Sequence, residues 1–426
     1  NAENFSETNT IAVAGCYDHL PDMGNSWPEW KAAGYGIASG LPENDVHEDS
    51  NMPHNATNGG IVNSLTFDQN FPLWQGPWAS GLVVDSKQDA GNAGGLESLR
   101  WSDAAQGRMV LHSMADGEWG GVQFRVANAS KLSNGDSILN FSAGGWQQAR
   151  SAKLTAGGGF GATGNRYYIE GSVDFMDEEG EWHFDPVTRC LSIIPPAGLG
   201  KLSLQSLPLI LTQTDSLLHF GGSGNDSDQA GGRVQHVHVV NMTMSHTSSQ
   251  FFRPHEETSG GDYAVCRFAA VFIENASSLL LQGNDMLHIG GNAVFISNDV
   301  HNVTVLQNRL SFIGTSGVSI VGRTGPSMMD ARDGKAMVAA GGKDNGVRLP
   351  KNNIVSENVI SDYGVWGKQS AAFHKALAPG NAFTKNAVWN SSRHGVNFQD
   401  SMGGDGLVAH NLFFNVRPRH SCVAKQ

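Results

Sequence analysis

Cysteine is scarce in this chain. Cys16, Cys190, Cys266 and Cys422 are the only four in 426 residues, and their wide separation excludes a compact disulfide framework or a zinc knuckle. One or two bridges in an oxidising compartment are the most that such a set supports, and Cys266, inside an apolar run, reads as a buried thiol. Charge is sparse as well: Asp, Glu, Lys and Arg make up 16%, and 28 basic against 40 acidic side chains leave a net charge of −12. An acidic balance argues against nucleic acid or anionic lipid as the main partner. No apolar run reaches the roughly 18 residues of a membrane span. No G-x-G-x-x-G follows a strand pattern, and neither a Walker loop nor H-E-x-x-H occurs. GGGFGATG (157–164) has a phosphate-loop composition, but no helix pattern follows it, so it reads as a loop. The chain opens on Asn1 rather than Met, which is compatible with a removed signal peptide and uninformative about one.

What the chain does have is a repeat. Six segments align: 236–252, 279–297, 303–322, 352–375, 381–400 and 406–416. Each carries a short apolar alternation, an Asn, a second alternation and a polar turn. Four then add a third strand, as NAVFI, SGVSIV, SAAFH and HGVNF. The shared Asn falls at Asn241, Asn284, Asn308, Asn358, Asn386 and Asn411, and the tightest intervals (284 to 308, 358 to 386, 386 to 411) are 24, 28 and 25 residues. That is a solenoid period. Three short strands per coil bury too little alone, whereas coils stacked about 4.8 Å apart share a continuous apolar column. The expected fold is all-β, a right-handed parallel β-helix over 201–426, with a loop- and strand-rich region over 1–200. An Asn at a turn tolerates left-handed backbone, and its amide bonds the amides of neighbouring coils; the six are expected to form one structural ladder. RTGPSMMDARDGKAMVAAGGKDNG (323–346) interrupts the repeat as an insertion.

The first hundred residues are less legible. Trp27, Trp30, Trp74 and Trp78 read as anchors of a loop-rich flank, with a sugar-stacking platform as the alternative. Nine N-x-Ser/Thr sequons point to a secretory, extracellular protein. Asn4, Asn55, Asn128, Asn140, Asn225, Asn275, Asn302 and Asn390 are the expected glycan positions; Asn241 is set aside because of its place on the ladder.

From Asn165 to Pro196 the pattern is strand, acidic turn, aromatic strand, turn, short strand and a Pro-Pro stop. Tyr168, Ile169, Glu170, Asp177, Gly180, Glu181, Trp182, Asp185, Leu191 and Pro195, with GGWQQARS (144–151), GGDYAVCRFAAVF (260–272), WGKQSAAFHKALA (366–378) and RHGVNFQDSMGGDG (393–406), give this stretch its character. It resembles the extracellular, carbohydrate-active, pectate-lyase-like β-helix proteins of algae and animals over about residues 100–416. The resemblance implies a glycan-acting solenoid and no particular reaction. NFQD at Asn397–Asp400 departs from the family's NFND. After Val416 the family carries an acidic, His-containing segment where this chain has RPRHSCVAKQ; a fragment, a partner chain or self-association covering that edge, and a lost part of an ancestral site are the three readings of that difference.

Cleavage of a polysaccharide by hydrolysis needs two carboxylates, and lyase chemistry needs a base beside a neutralised uronate. Asp262 and Asp400 are the carboxylate candidates, both also natural turn formers. Arg267, Lys368, His374, Arg393 and Asn397 are the substrate-binding candidates, and His374 and Asn397 occupy equivalent places on consecutive third strands. His246 and His288 read as core histidines. No metal site and no cofactor are expected, with a structural cation such as calcium left open. The expected function is a secreted glycoside hydrolase or lyase acting on an extended glycan; the alternative is a non-catalytic extracellular scaffold that lost the site.

Overall fold

A computed structural model describes the strands and turns that lie within residues 10–13, 60–63, 79–84, 109–114, 121–144, 167–195, 209–221, 232–257, 264–322, 349–399 and 404–416. Asn4, Asn55, Asn225, Asp262, Asp400, the four tryptophans from Trp27 to Trp78 and the insertion 323–346 lie outside the described residues. The chain divides into two compact units: residues 1–68 with 75–213, and residues 69–74 with 214–426.

The first unit holds a six-stranded antiparallel sheet ordered Gly60–Asn63, Ala79–Val84, Ser137–Gly144, Gly121–Lys131, Val110–Met114, Tyr167–Glu170. Met109, Leu111, Phe124, Val126, Leu139 and Ile169 are buried in it. The strand, turn, strand reading of 165–196 appears as the antiparallel pair Trp182–Asp185 and Cys190–Ile193. Its turn is held by the Asp185 carboxylate, which accepts the Val187 N–H at 2.9 Å.

The second unit is a parallel β-helix. Three six-stranded, wholly parallel sheets run the length of the described coils. The first contains Leu218–Gly221, Ala269–Glu274, Asn292–Ile296, Val318–Val321, Ala371–Ala376 and His394–Phe398. The second contains His238–Val240, Leu280–Gln282, Thr304–Leu306, Ile354–Ser356, Ala382–Thr384 and Leu407–Ala409. The third contains Thr243–Ser245, Asp285–Ile289, Arg309–Ile313, Val359–Tyr363, Ala387–Ser391 and Leu412–Val416. Register stacks like on like: Val239, Leu281, Val305, Val355, Phe383 and Val408 form one inward column, and Met244, Met286, Leu310, Ile360, Val388 and Phe413 another. Alternate side chains point inward because strand side chains alternate faces, and each column is buried between coils, leaving Val408 and Phe413 exposed at its end.

Between the second and third sheets the chain turns in two residues. The first is left-handed in every coil: Asn241, Gly283, Gln307, Glu357, Lys385 and His410 have φ between 55° and 64°. Strain at the non-glycine positions is offset because hydrogen bonding between coils continues through the turn, as from Gln307 N–H to the Ser356 carbonyl at 3.1 Å. The second turn residue is the ladder Asn. Asn284, Asn308, Asn358, Asn386 and Asn411 form it, the Oδ1 of each of the last four accepting from the backbone and side-chain amides of the preceding Asn at 2.8–3.0 Å. Asn241 does not belong to it. The N–H that Asn284 accepts in the first coil is that of Met242, so Asn241 stands one residue earlier, in the left-handed slot.

Candidate functional site

The outer face of the first sheet carries a row set by register: His219, Phe272, Phe295, Ser319, His374 and Asn397. The structure therefore brings His374 and Asn397 together on adjacent strands, as their matching sequence positions required. The Asn397 side-chain nitrogen and His374 Nδ1 are 3.0 Å apart. With the amide as donor, Nδ1 accepts and the imidazole proton sits on Nε2. His374 is fully buried. Burial, with the nearby His394 charge adding to it, pulls its pKa down to about 3, so the ring is neutral at neutral pH.

The turns leading into the last two strands of the first sheet carry the other basic candidates. Lys368 is 5% exposed, and burial lowers its pKa well below the usual lysine value. The Lys368 carbonyl accepts the Ser392 hydroxyl at 3.1 Å, next to half-buried Arg393. The Tyr363 hydroxyl donates to the His394 carbonyl at 2.7 Å, and the Ser370 and Ser392 hydroxyls lie 2.8 Å apart. Lys368, Ser370, Ser392, Arg393 and His394 thus come from two consecutive turns that Tyr363 fastens together. Ser370, Ser392 and Tyr363 were not singled out from sequence; the signal for the serines is that each stands just before a first-sheet strand, one coil apart.

Arg267 is placed differently. Its guanidinium donates to Ser297 Oγ at 2.9 Å, the Val321 carbonyl at 2.9 Å and the Gly322 carbonyl at 2.8 Å, and it lies over the Phe295 ring. It fastens the segment Ala264–Cys266 across the ends of two coils. Val265 from that segment packs with Phe295, Val321 and Ala376, which helps explain why Phe295 and Ser319 on the outer row are 0% and 1% exposed. This face is a covered one along that part of the row.

Asp262 and Asp400 are not among the described residues, but the elements they adjoin are. Asp262 precedes Ala264–Cys266, which leads into Ala269–Glu274; Asp400 follows His394–Phe398.

His246 and His288 are not core histidines. Both are left-handed, at φ 59° and 55°, and half-buried. Their rings stack at 5.0 Å on each other, and His288 stacks at 5.0 Å on Phe312. The same column continues with Asp362, Asn390 and Asn415, whose side chains bond in series at 2.9 and 2.7 Å. A left-handed residue between two strand segments turns its side chain out of the alternation, which the sequence pattern does not display. Among the described residues no group of three His, Cys, Asp or Glu is arranged to hold a metal ion, and no helix is long and apolar enough to cross a membrane. Cys190 is exposed and Cys266 is buried.

The fold places the chain among parallel β-helix proteins. No protein family matches the sequence, and no curated relative matches it. Among solved structures, one described as a glycoside hydrolase superposes with a TM-score of 0.49 at 12% identity, over 84% of this chain and 80% of that one. A likeness of that size carries no functional argument.

Proposed function

We propose that this chain is an extracellular polysaccharide-active β-helix protein, a glycoside hydrolase or lyase that acts on an extended glycan. The observation that carries this reading is the neutral His374–Asn397 pair, 3.0 Å apart, beside the turns that hold buried Lys368 and half-buried Arg393. A solenoid offers polar side chains at one fixed spacing along its axis, which suits a ligand that is itself a linear repeat. Within this reading Lys368, whose ammonium form is disfavoured by burial, serves as the base, and Arg393 neutralises the carboxylate of a uronate. Lys368 with Arg393 makes a lyase the favoured form within this reading.

The second reading, a non-catalytic scaffold, is favoured by the burial of Ser319 and His374. Incubation with a panel of acidic and neutral polysaccharides separates them. Unsaturated uronate absorbance that disappears in Lys368→Met supports the lyase. New reducing ends without unsaturation support hydrolysis, and neither product on any substrate supports the scaffold.

A further inference from the structure

The displacement of Asn241 from the ladder changes what that residue can do. Asn241-Met242-Thr243 is an N-x-Thr sequon, and all three residues are exposed, Met242 at 54%. At the sequons beginning at Asn140, Asn275, Asn302 and Asn390 the middle residue is instead buried: Phe141, Ala276, Val303 and Ser391. The Asn390 side-chain nitrogen is already bonded to Asp362, and that of Asn140 to Asn128. The Asn241 amide has no side-chain partner among the described residues. It lies over Gly283 of the next coil, where a Cβ would come within 2.5 Å of its Oδ1. Only Oδ1 and Cγ of Asn241 come within 4 Å of that point, so Nδ2 is directed away from the neighbouring coil.

The position matters as much as the exposure. Asn241 joins His238–Val240 to Thr243–Ser245, which are the first strands of the second and third sheets and pair on one side only among the described residues. Val240 and Met242 are both exposed there. Open strand edges flanked by apolar side chains add foreign strands unless something blocks them, and a large hydrated group at the corner between two such edges blocks both.

We propose that Asn241 carries an N-linked oligosaccharide and that this glycan shields the open edge of the first coil. The donor is a polyprenyl-pyrophosphate-linked oligosaccharide. A bond forms between sugar C1 and Asn241 Nδ2, the C1–O bond to pyrophosphate breaks, and Nδ2 gives up one proton, keeping the other. This inference is independent of the proposed activity.

The full chain, expressed through the secretory pathway of a eukaryotic host, is treated with peptide-N-glycosidase F in heavy-oxygen water and mapped by mass spectrometry. The expected result is isotope-labelled Asp at position 241. Asn241→Gln and Thr243→Val each remove the mass of one glycan from the intact protein, and Thr243→Val keeps the asparagine as a control on folding. Both variants, and the enzymatically deglycosylated chain, sediment with a larger self-associated fraction than the parent. A secreted chain with an unlabelled Asn241 peptide overturns the attachment. Variants that lose the glycan with unchanged sedimentation overturn the shielding role.

Discussion

The side-chain oxygen of Asn358 accepts both amide donors of Asn308, the backbone N–H at 2.9 Å and the side-chain N–H at 3.0 Å, across one coil interface. Asn308 in turn gives its side-chain N–H to the Leu281 carbonyl at 2.9 Å. One buried amide therefore satisfies backbone groups on both sides of it. Replacing Asn358 with Leu leaves the Asn308 N–H groups and the Val305 carbonyl without their partner, at roughly 1–3 kcal/mol for each buried group. Asn358→Leu is expected to lose about 3 kcal/mol or more in urea unfolding, whereas Asn241→Ala loses only about 1 kcal/mol, the cost of a left-handed alanine. Equal losses at the two positions would restore Asn241 to the ladder.

Acid should weaken the fold through two buried histidines. Burial lowers the pKa of His255 to about 4, with a hydrogen bond to the Arg253 carbonyl opposing it, and that of His374 to about 3. Both values lie below the unfolded value of about 6.5, so the unfolded chain takes up protons first. Stability from these groups is complete above about pH 6.5 and declines as pH falls toward 4 and then 3. The combined loss is several kcal/mol, at about 1.4 kcal/mol per pH unit for each. His374→Asn is expected to flatten part of that slope in urea melts between pH 7 and pH 4. Parallel slopes for parent and variant would refute the assignment.

Lys375 breaks an apolar column. It sits in register between Ile320 and Phe398, above Ile273 and Ile296, at 2% exposure. Its ammonium lies 4.6 Å over the Phe398 ring and has no hydrogen-bond partner among the described residues. Burial lowers its pKa, with Asp405 opposing. Lys375→Met removes the desolvation cost while keeping the volume, and should raise stability by about 1–2 kcal/mol. A destabilised variant would show that the amine has a partner that holds it.

Arg267 has two candidate roles that separate cleanly. As a structural tie it makes three forked bonds that a lysine cannot reproduce, so Arg267→Ala and Arg267→Lys both lose about 2–4 kcal/mol. As a substrate-binding residue it would instead raise KM in Arg267→Ala with little change in Tm. Thermal melts and, once a substrate is known, saturation kinetics on the same two variants decide between the roles.

Gly364 and Gly404 give a matched test of turn geometry. Gly364 has φ of 79°, and a Cβ there would overlap the Ser370 and Ser392 hydroxyls, whereas nothing lies within 4 Å of a Cβ on Gly404. Gly364→Ala should cost about 3 kcal/mol or more, and Gly404→Ala at most about 0.5 kcal/mol. Loosening of the turns joined by Tyr363 and Ser392 would also release Lys368, so Gly364→Ala is expected to abolish any lyase activity.

The ladder was legible because its hydrogen bonding demands the same side chain at the same place in successive coils, and Asn284, Asn308, Asn358, Asn386 and Asn411 keep it. Asn241 was misassigned for a physical reason. Both residues of the turn favour Asn, one for its amide and the other for its tolerance of left-handed backbone, so a shift of one residue leaves no trace in composition. Only the pairing of Val240 with Gln282 decides it. A second, shorter ladder went unseen: Asn353 and Asn381 bond at 2.9 Å ahead of the second sheet, where the preceding coil has Val303. Two rungs are too few to stand out as a period. The His374–Asn397 contact was legible because both stand at the same distance from a strand start.

The sequence alone determined the coil, since inward alternation and the recurring amide repeat within each short segment and depend on neighbours of the same kind. It also determined which side chains share a row, because parallel register carries a position from one coil to the next. Whether a row faces solvent was decided only by the tertiary structure. Ala264–Cys266 and the Arg267 fork lie across strands up to 55 residues further along the chain, and covering a face is a long-range contact that local alternation does not encode. The same holds for Asn241: its accessibility follows from having a neighbouring coil on one side only among the described residues, a property of its place in the stack rather than of its own three residues.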